Sequence, residues 1–302
     1  MSVSVKELRT YTSFARRFAG RFVAERLREA RVPVAPAPHR PEPAAWADDR
    51  LTVAWLGHAT VLMNFYGTWL LTDPALRARV GVGVGPATLG PRRLVRPALK
   101  ARELPALDAV LVSHAHMDHC DLATLGQLPR RTRAVVQRGM GDLVRRFSRA
   151  DELGWGESVE VGGARVESVE VNHWGARTLT DRHRGYGGFL VEKNGRAVVF
   201  GGDTAYTTAF GRLPRRGVRV DLAILGVGGY DPYINAHANP EQAWAMANEM
   251  GARFLLPMHH STFRLSREPA AEPVERALRA AGRERHRVAL TEIGQTWTLP
   301  EE

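Results

Sequence analysis

The sequence predicts an α/β fold of two mixed sheets with helices packed outside them. Three observations carry this. Short apolar runs of strand length recur along the chain, they fall into two blocks, and each block is followed by segments of helical period. The 302 residues allow one large domain or two small ones. At this length roughly 75% of the unfolded surface can be buried, so the core needs no covalent staples.

Taken in order, residues 1–30 read as an amphipathic helix. Tyr11, Phe14, Phe18 and Phe22 lie on one face and Arg17, Arg21 and Arg28 opposite, as in a helix that lies on an anionic membrane or covers a core. Five prolines within 32–43 forbid helix and favour an extended linker, so the chain divides into a segment 1–48 and a compact domain 49–302. LTVAWLG, TVLMNFY and WLLTD are three successive strands. Residues 77–102 form a long basic loop, whose GVGVGP lacks the spacing of a dinucleotide-binding turn.

DAVLVSH is a buried strand running into a histidine-rich loop, with a short helix over 121–128. AVVQ is a strand, 140–147 a helix, and 158–171 holds two short strands. YGGFLVE and RAVVFGGD form a hairpin that turns at 193–195. DLAILGVG is a strand, followed by a helix over 240–250 with proline at its first position. ARFLLPMHH is a strand, 273–281 a helix, and the C-terminus is strand-like.

Composition excludes several classes. A chain that is 44% hydrophobic and 25% charged is neither collagen-like nor disordered. No stretch approaches the ~18 apolar residues of a membrane span. Cys120 is the single cysteine, so intramolecular disulfides and cysteine-rich metal knuckles are excluded. No secretory signal is read at the N-terminus, and a soluble cytoplasmic protein, or one peripheral to the membrane through residues 1–30, is expected. The net charge of +10 comes almost wholly from arginine, lysine occurring only at Lys6, Lys100 and Lys193. That balance gives weak support to an anionic substrate. No aromatic-interleaved basic patch points to nucleic acid, and a homo-oligomer is compatible with the sequence.

The chemistry sits at strand ends. In LVSHAHMDHC, His114 and His116 are two apart after a strand and can converge on one ion, while Asp118 and His119 can reach a second. Four ligand types in six positions exceed what a solvated loop needs. His173 in EVNHW, Asp203 in VVFGGDT and His259 in LLPMHH extend the pattern, each weaker alone. Together they make one set of three histidines and another of Asp, His and His, with Asp203 left to bridge two metals. His237, in a loop after a buried strand, reads as an active-site residue.

HAHMDH matches the H-x-H-x-D-H signature, and the chain resembles the metallo-β-lactamase superfamily. WLGHATVLM, LLTDP, the Gly90–Arg93 loop, VNHW, GGDTAY, AHANPEQA and PMHHSTF narrow the resemblance to bacterial relatives of N-acyl phosphatidylethanolamine phospholipase D, over about residues 51–263. The resemblance implies an αββα sandwich and two divalent metal ions, zinc first, with manganese or iron as alternatives. It assigns His114, His116 and His173 to one metal, Asp118, His119 and His259 to the other, and Asp203 to both. His58 and Asp73 would orient ligands by hydrogen bonds. Asp73 fits a turn before Pro74 equally well. Asp118 and His237 are the catalytic candidates, His237 as proton donor. The implied function is hydrolysis of a phosphodiester, N-acyl phospholipid-like, by a metal-bridging hydroxide. A lactonase of the ascorbate-6-phosphate type is the alternative, and a nucleic-acid-processing hydrolase a weaker one. The phospholipase has His-Trp-Gly-Thr-Phe where this chain has residues 259–263, HHSTF, so His260 changes the pocket wall.

Overall fold

The computed structural model describes residues 33–84, 87–178 and 180–301. The helix read over residues 1–30 lies outside them. In chain order the strands are β1 (Leu51–Gly57), β2 (Thr60–Phe65), β3 (Thr68–Thr72), β4 (Val82–Val84), β5 (Ala87–Leu89), β6 (Ala109–Val112), β7 (Arg133–Gln137), β8 (Ala150–Leu153), β9 (Ser158–Val161), β10 (Ala164–Val169), β11 (Gly188–Lys193), β12 (Arg196–Phe200), β13 (Leu222–Gly226), β14 (Phe254–Met258) and β15 (Thr296–Thr298). The helices are α1 (Leu122–Leu125), α2 (Pro240–Glu249) and α3 (Glu272–Ala281). No described helix is long and apolar enough to cross a membrane.

Two mixed sheets form the body. The first runs β15-β1-β2-β3-β6-β7-β8 and the second β14-β13-β12-β11-β10-β9. The period-2 alternation of the second sheet explains its place in the middle of the molecule. Phe189, Val191, Val198, Phe200, Leu222, Ile224 and Leu256 face the first sheet and share one core with it. Their alternates Leu190, Val199, Ala223, Leu225 and Leu255 face outward and are covered by Trp244, Met246 and Ala247 of α2. Asn239 caps α2 through a capping box with Gln242, as its proline start anticipates. The hairpin β11–β12 turns through Asn194 and Gly195, both at positive φ.

Several elements differ from the sequence reading. The helix expected over 140–147 is a run of i→i+3 turns with a 3-10 segment at Gly141–Leu143. Met140, Val144 and Phe147 are buried as the helical spacing suggests. Gly139 and Gly141 weaken helix, and the Glu152 carboxylate takes the Gly139 N–H. Strand β8 was not read because ADEL is too polar and short to show alternation, and the basic loop hides the β4–β5 hairpin. Residues 33–48, read as a linker, are pinned to the domain. Ala35 pairs with Leu94 and Arg96, His39 with Ile293, and Trp46 stacks on Trp69 at 5.5 Å.

The topology places the site. Strands β12, β13 and β14 are mutually parallel, as are β3, β6 and β7. Their carboxyl ends therefore share one edge, where open α/β sheets leave a crevice. His58, Asp73, Ser113 and His259 each stand one residue past β1, β3, β6 and β14, and Asp203 stands three past β12.

Candidate metal centre

The loop after β6 is fixed before any ligand is considered. The N–H groups of His119 and Cys120 both donate to the His116 carbonyl, closing a turn. Asp121 then caps α1, accepting from Ala123 N, Thr124 N and Thr124 Oγ1. From the other side Arg177 Nη1 donates to the carbonyls of Ala115 (2.9 Å) and Cys120 (2.8 Å). Cys120 is buried, and burial pushes its thiol up to about 12, so it is inert packing.

Two groups of four ligand-type side chains converge. His114, His116, His173 and Asp203 form one, His58, Asp118, His119 and His259 the other, each with its ligand atoms within 4.8 Å of one another. Asp203 lies against both. Its Oδ2 is 3.8 Å from His114 Nε2 and His173 Nε2 and 3.0 Å from His119 Nε2, and its Oδ1 is 3.3 Å from His259 Nε2. The structure thus brings together all seven ligand candidates, with His58 added. His58 Nε2 is 3.0 Å from Asp118 Oδ2.

Hydrogen bonds behind the imidazoles set which nitrogen faces the centre. Asp73, which read equally as a turn residue, accepts from Ser113 N (2.7 Å), Ser113 Oγ (2.6 Å) and His119 Nδ1 (2.7 Å). Ser113 Oγ in turn accepts from His114 Nδ1 at 2.9 Å. One carboxylate therefore orients a histidine in each group and leaves both Nε2 atoms facing inward. His173 Nδ1 donates to Ala236 O and His259 Nδ1 to Gly228 O, with the same result. Ser113 and these two carbonyls are the functional groups that sequence reasoning missed. Only Ser113 left a trace, as the residue between strand and ligand.

Three inward atoms, His119 Nε2, His259 Nε2 and Asp203 Oδ1, are buried without a hydrogen-bond partner. Buried polar groups are rarely left so. Nitrogens and carboxylate oxygens 3.0–3.3 Å apart yet misaligned for hydrogen bonding are what a shared cation leaves when its ligands point at it instead of at each other. The donor set fits divalent metal.

The electrostatics agree. Burial pushes the imidazoles of His58 and His173 down to about 3 and keeps His114 well below its ordinary value. Burial acts the same way on His119 and His259, but carboxylates outweigh it. Asp203, Asp118 and Asp73 hold His119 well above the usual range, and Asp203 and Asp118 raise His259 to about 9. Burial would raise Asp118 and Asp203, yet the neighbouring imidazoles hold both well below the carboxylate range.

His237 lies beside the shared carboxylate, Nδ1 3.7 Å from Asp203 Oδ2, with its ring 5.2 Å from those of His173 and His259. Burial pushes it down to about 4, leaving a neutral ring near pH 7. Gly229, at φ +89°, makes room for it, since a Cβ there would meet His237 Nδ1 at 3.1 Å and His259 at 3.3 Å. His260 packs on Trp55 in the interior, ring centroids 4.5 Å apart, so this departure from the phospholipase pattern falls in the core behind His259.

Residues 68–260 match the β-lactamase superfamily domain family. The chain is 35% identical over 256 residues to an uncharacterized protein of Mycobacterium tuberculosis, covering 82% of this chain and 68% of that one. It is 30% identical to a metal-dependent hydrolase of Anaeromyxobacter, covering 82% and 87%. It is also 30% identical to N-acyl-phosphatidylethanolamine-hydrolyzing phospholipase D 1 of Caenorhabditis elegans, covering 72% of this chain and 65% of that one. A solved structure of a possible metal-dependent hydrolase from Veillonella parvula superposes with a TM-score of 0.67 at 20% identity, over 83% of this chain and 100% of that one, a likeness of fold alone. Family and fold agree: the chain is a metal-dependent hydrolase of the metallo-β-lactamase superfamily.

Proposed function

We propose that the chain hydrolyses a phosphodiester, N-acyl phospholipid-like in class, with two divalent cations held at the strand ends. The observation that carries this reading is Asp203, one carboxylate set between two complete ligand groups. His114, His116 and His173 would hold one cation, and Asp118, His119 and His259 the other. The predominance of imidazole suits zinc, and the two carboxylates admit manganese or iron. Two bound cations supply Lewis acidity and a water deprotonated near neutral pH. The phospholipase relative supports the phosphodiester over the lactone.

The chain's own residues do the rest. Asp73 and Ser113 keep the inward nitrogens of His114 and His119 free of protons in the loaded site, and the carbonyls of Ala236 and Gly228 do the same for His173 and His259. His58 steadies Asp118. His237, neutral near pH 7 and partly open to solvent, gives the leaving oxygen a hydrogen bond from its N–H rather than a proton.

Metal analysis of the reconstituted protein, with turnover of bis-p-nitrophenyl phosphate against a lactone panel, tests the reading. About two metal ions per chain and a preference for the phosphodiester are expected. Loading with one ion or none, or faster lactone opening, would overturn it.

A further inference from the structure

We propose that the cleft beside His116 is a subsite for a second anionic group of the substrate, held by Arg177 and Arg182. This rests on the phosphodiester reading and moves it away from a plain N-acyl phosphatidylethanolamine, whose one charge is the scissile group: the substrate carries a phosphate or carboxylate besides that group. The cleft is about 710 Å³ and is lined by His116, Trp174, Arg177, Arg182, Arg184 and Tyr186. His116 is shared with the metal centre, so a molecule that reaches the centre from this side passes three guanidinium groups.

The three arginines differ. Arg184 is neutralised in place: Asp142 takes two of its N–H groups at 2.5 and 2.9 Å, Asp181 another at 2.7 Å, and these carboxylates leave no net charge for a ligand. Arg177 is fixed but not neutralised. Its bonds go to the carbonyls of Ala115 and Cys120, and among the described residues no carboxylate pairs with it. Arg182 is exposed and likewise has no ion-pair partner among the described residues. One preorganised and one exposed guanidinium lining a concave site make the arrangement that binds phosphate or carboxylate oxygens in bidentate fashion.

The walls support a small organic ligand. Trp174 is 47% exposed, unusual for so large an apolar ring, and stands edge-on to His116 at 4.9 Å and tilted over His173 at 4.4 Å. Tyr186 also lines the cleft, with Trp155 edge-on to it at 5.5 Å. Flat apolar walls with a few placed cations are the usual composition of a ligand cleft.

The test uses metal-loaded full-length protein and a series of α,ω-alkane bisphosphonates of increasing chain length, each paired with its alkyl monophosphonate. Calorimetry reads binding without turnover, so a wrong phosphodiester assignment shows in the activity assay and a wrong subsite shows here. At least one bisphosphonate is expected to bind on the order of tenfold tighter than its monophosphonate. Arg182→Glu should bring that ratio below about two while leaving metal content unchanged, Arg182→Lys should retain part of it, and Arg215→Glu, in the exposed 3-10 segment Pro214–Arg216 outside the cleft, should retain all of it. No bisphosphonate preference in the native chain, or a preference that survives Arg182→Glu, would overturn the proposal.

Discussion

Around His114, His116 and His173 the imidazoles satisfy one another, whereas around His119 and His259 they do not. His116 Nδ1 lies 2.9 Å from His114 Nε2 and 3.3 Å from His173 Nε2. On the other side His119 Nε2 and His259 Nε2 face carboxylates without a hydrogen bond. Burial holds the first group's imidazoles below their ordinary value, whereas Asp118 and Asp203 raise those of the second above it. The difference teaches where the charge of Asp118 and Asp203 is felt: it falls on the second group's imidazoles, while the first group's are governed by burial.

The largest test of that asymmetry removes what the groups share. Asp203→Ala should abolish turnover and lower metal content in both groups, read by plasma emission analysis; loss confined to one group would contradict the shared carboxylate. Next, Asp73→Asn should weaken metal affinity about 10- to 100-fold in both groups, because Asp73 orients His114 through Ser113 and His119 directly. His58→Gln, acting through Asp118 alone, should weaken only one. Competition with a chromophoric chelator, resolving two affinities, separates these outcomes.

His237→Gln should leave metal content unchanged and lower kcat by about 10²-fold on an alkyl leaving group. Its loss on p-nitrophenolate should be far smaller, since that oxyanion spreads its own charge and needs little hydrogen-bond stabilisation. Equal losses on both would make His237 a positioning residue. The smallest effect is in pH. His259 rises from 6.5 to about 9 on folding, so its contribution to the metal-free fold is complete below pH 6.5 and is lost as pH climbs through about 9. His119 acts in the same direction. The Tm of metal-free protein should therefore fall across that window. Metal binding to the second group should release protons below it and strengthen as pH rises, while binding to the first group should release none.

The ligand loop was legible because histidine and aspartate crowd six positions after a strand, a pattern with a chemical cause that needs no tertiary knowledge. Many of the strands were legible too, since β6, β12, β13 and β14 are largely continuous apolar runs. Asp73 was ambiguous because its partners, Ser113 and His119, are 40 and 46 residues away. The Ala236 and Gly228 carbonyls carry no side-chain signature at all. The attachment of residues 33–43 was not legible for a related reason: proline favours an extended shape, but the neighbour Ala35 pairs with, around Leu94, is set by the fold.

β1 is flanked by β2, nearest in sequence, and by β15, where Thr52 meets Thr298 across 246 residues. During synthesis the outer edge of β1 therefore stays unpaired while nearly the whole domain emerges from the ribosome. An exposed, largely apolar strand edge templates the addition of other chains. Closing so distant a pair costs chain entropy before it returns any contact, which slows folding. Chains released before residue 296 would carry an intact ligand loop and an open sheet, and are expected to aggregate more readily than chains that include β15.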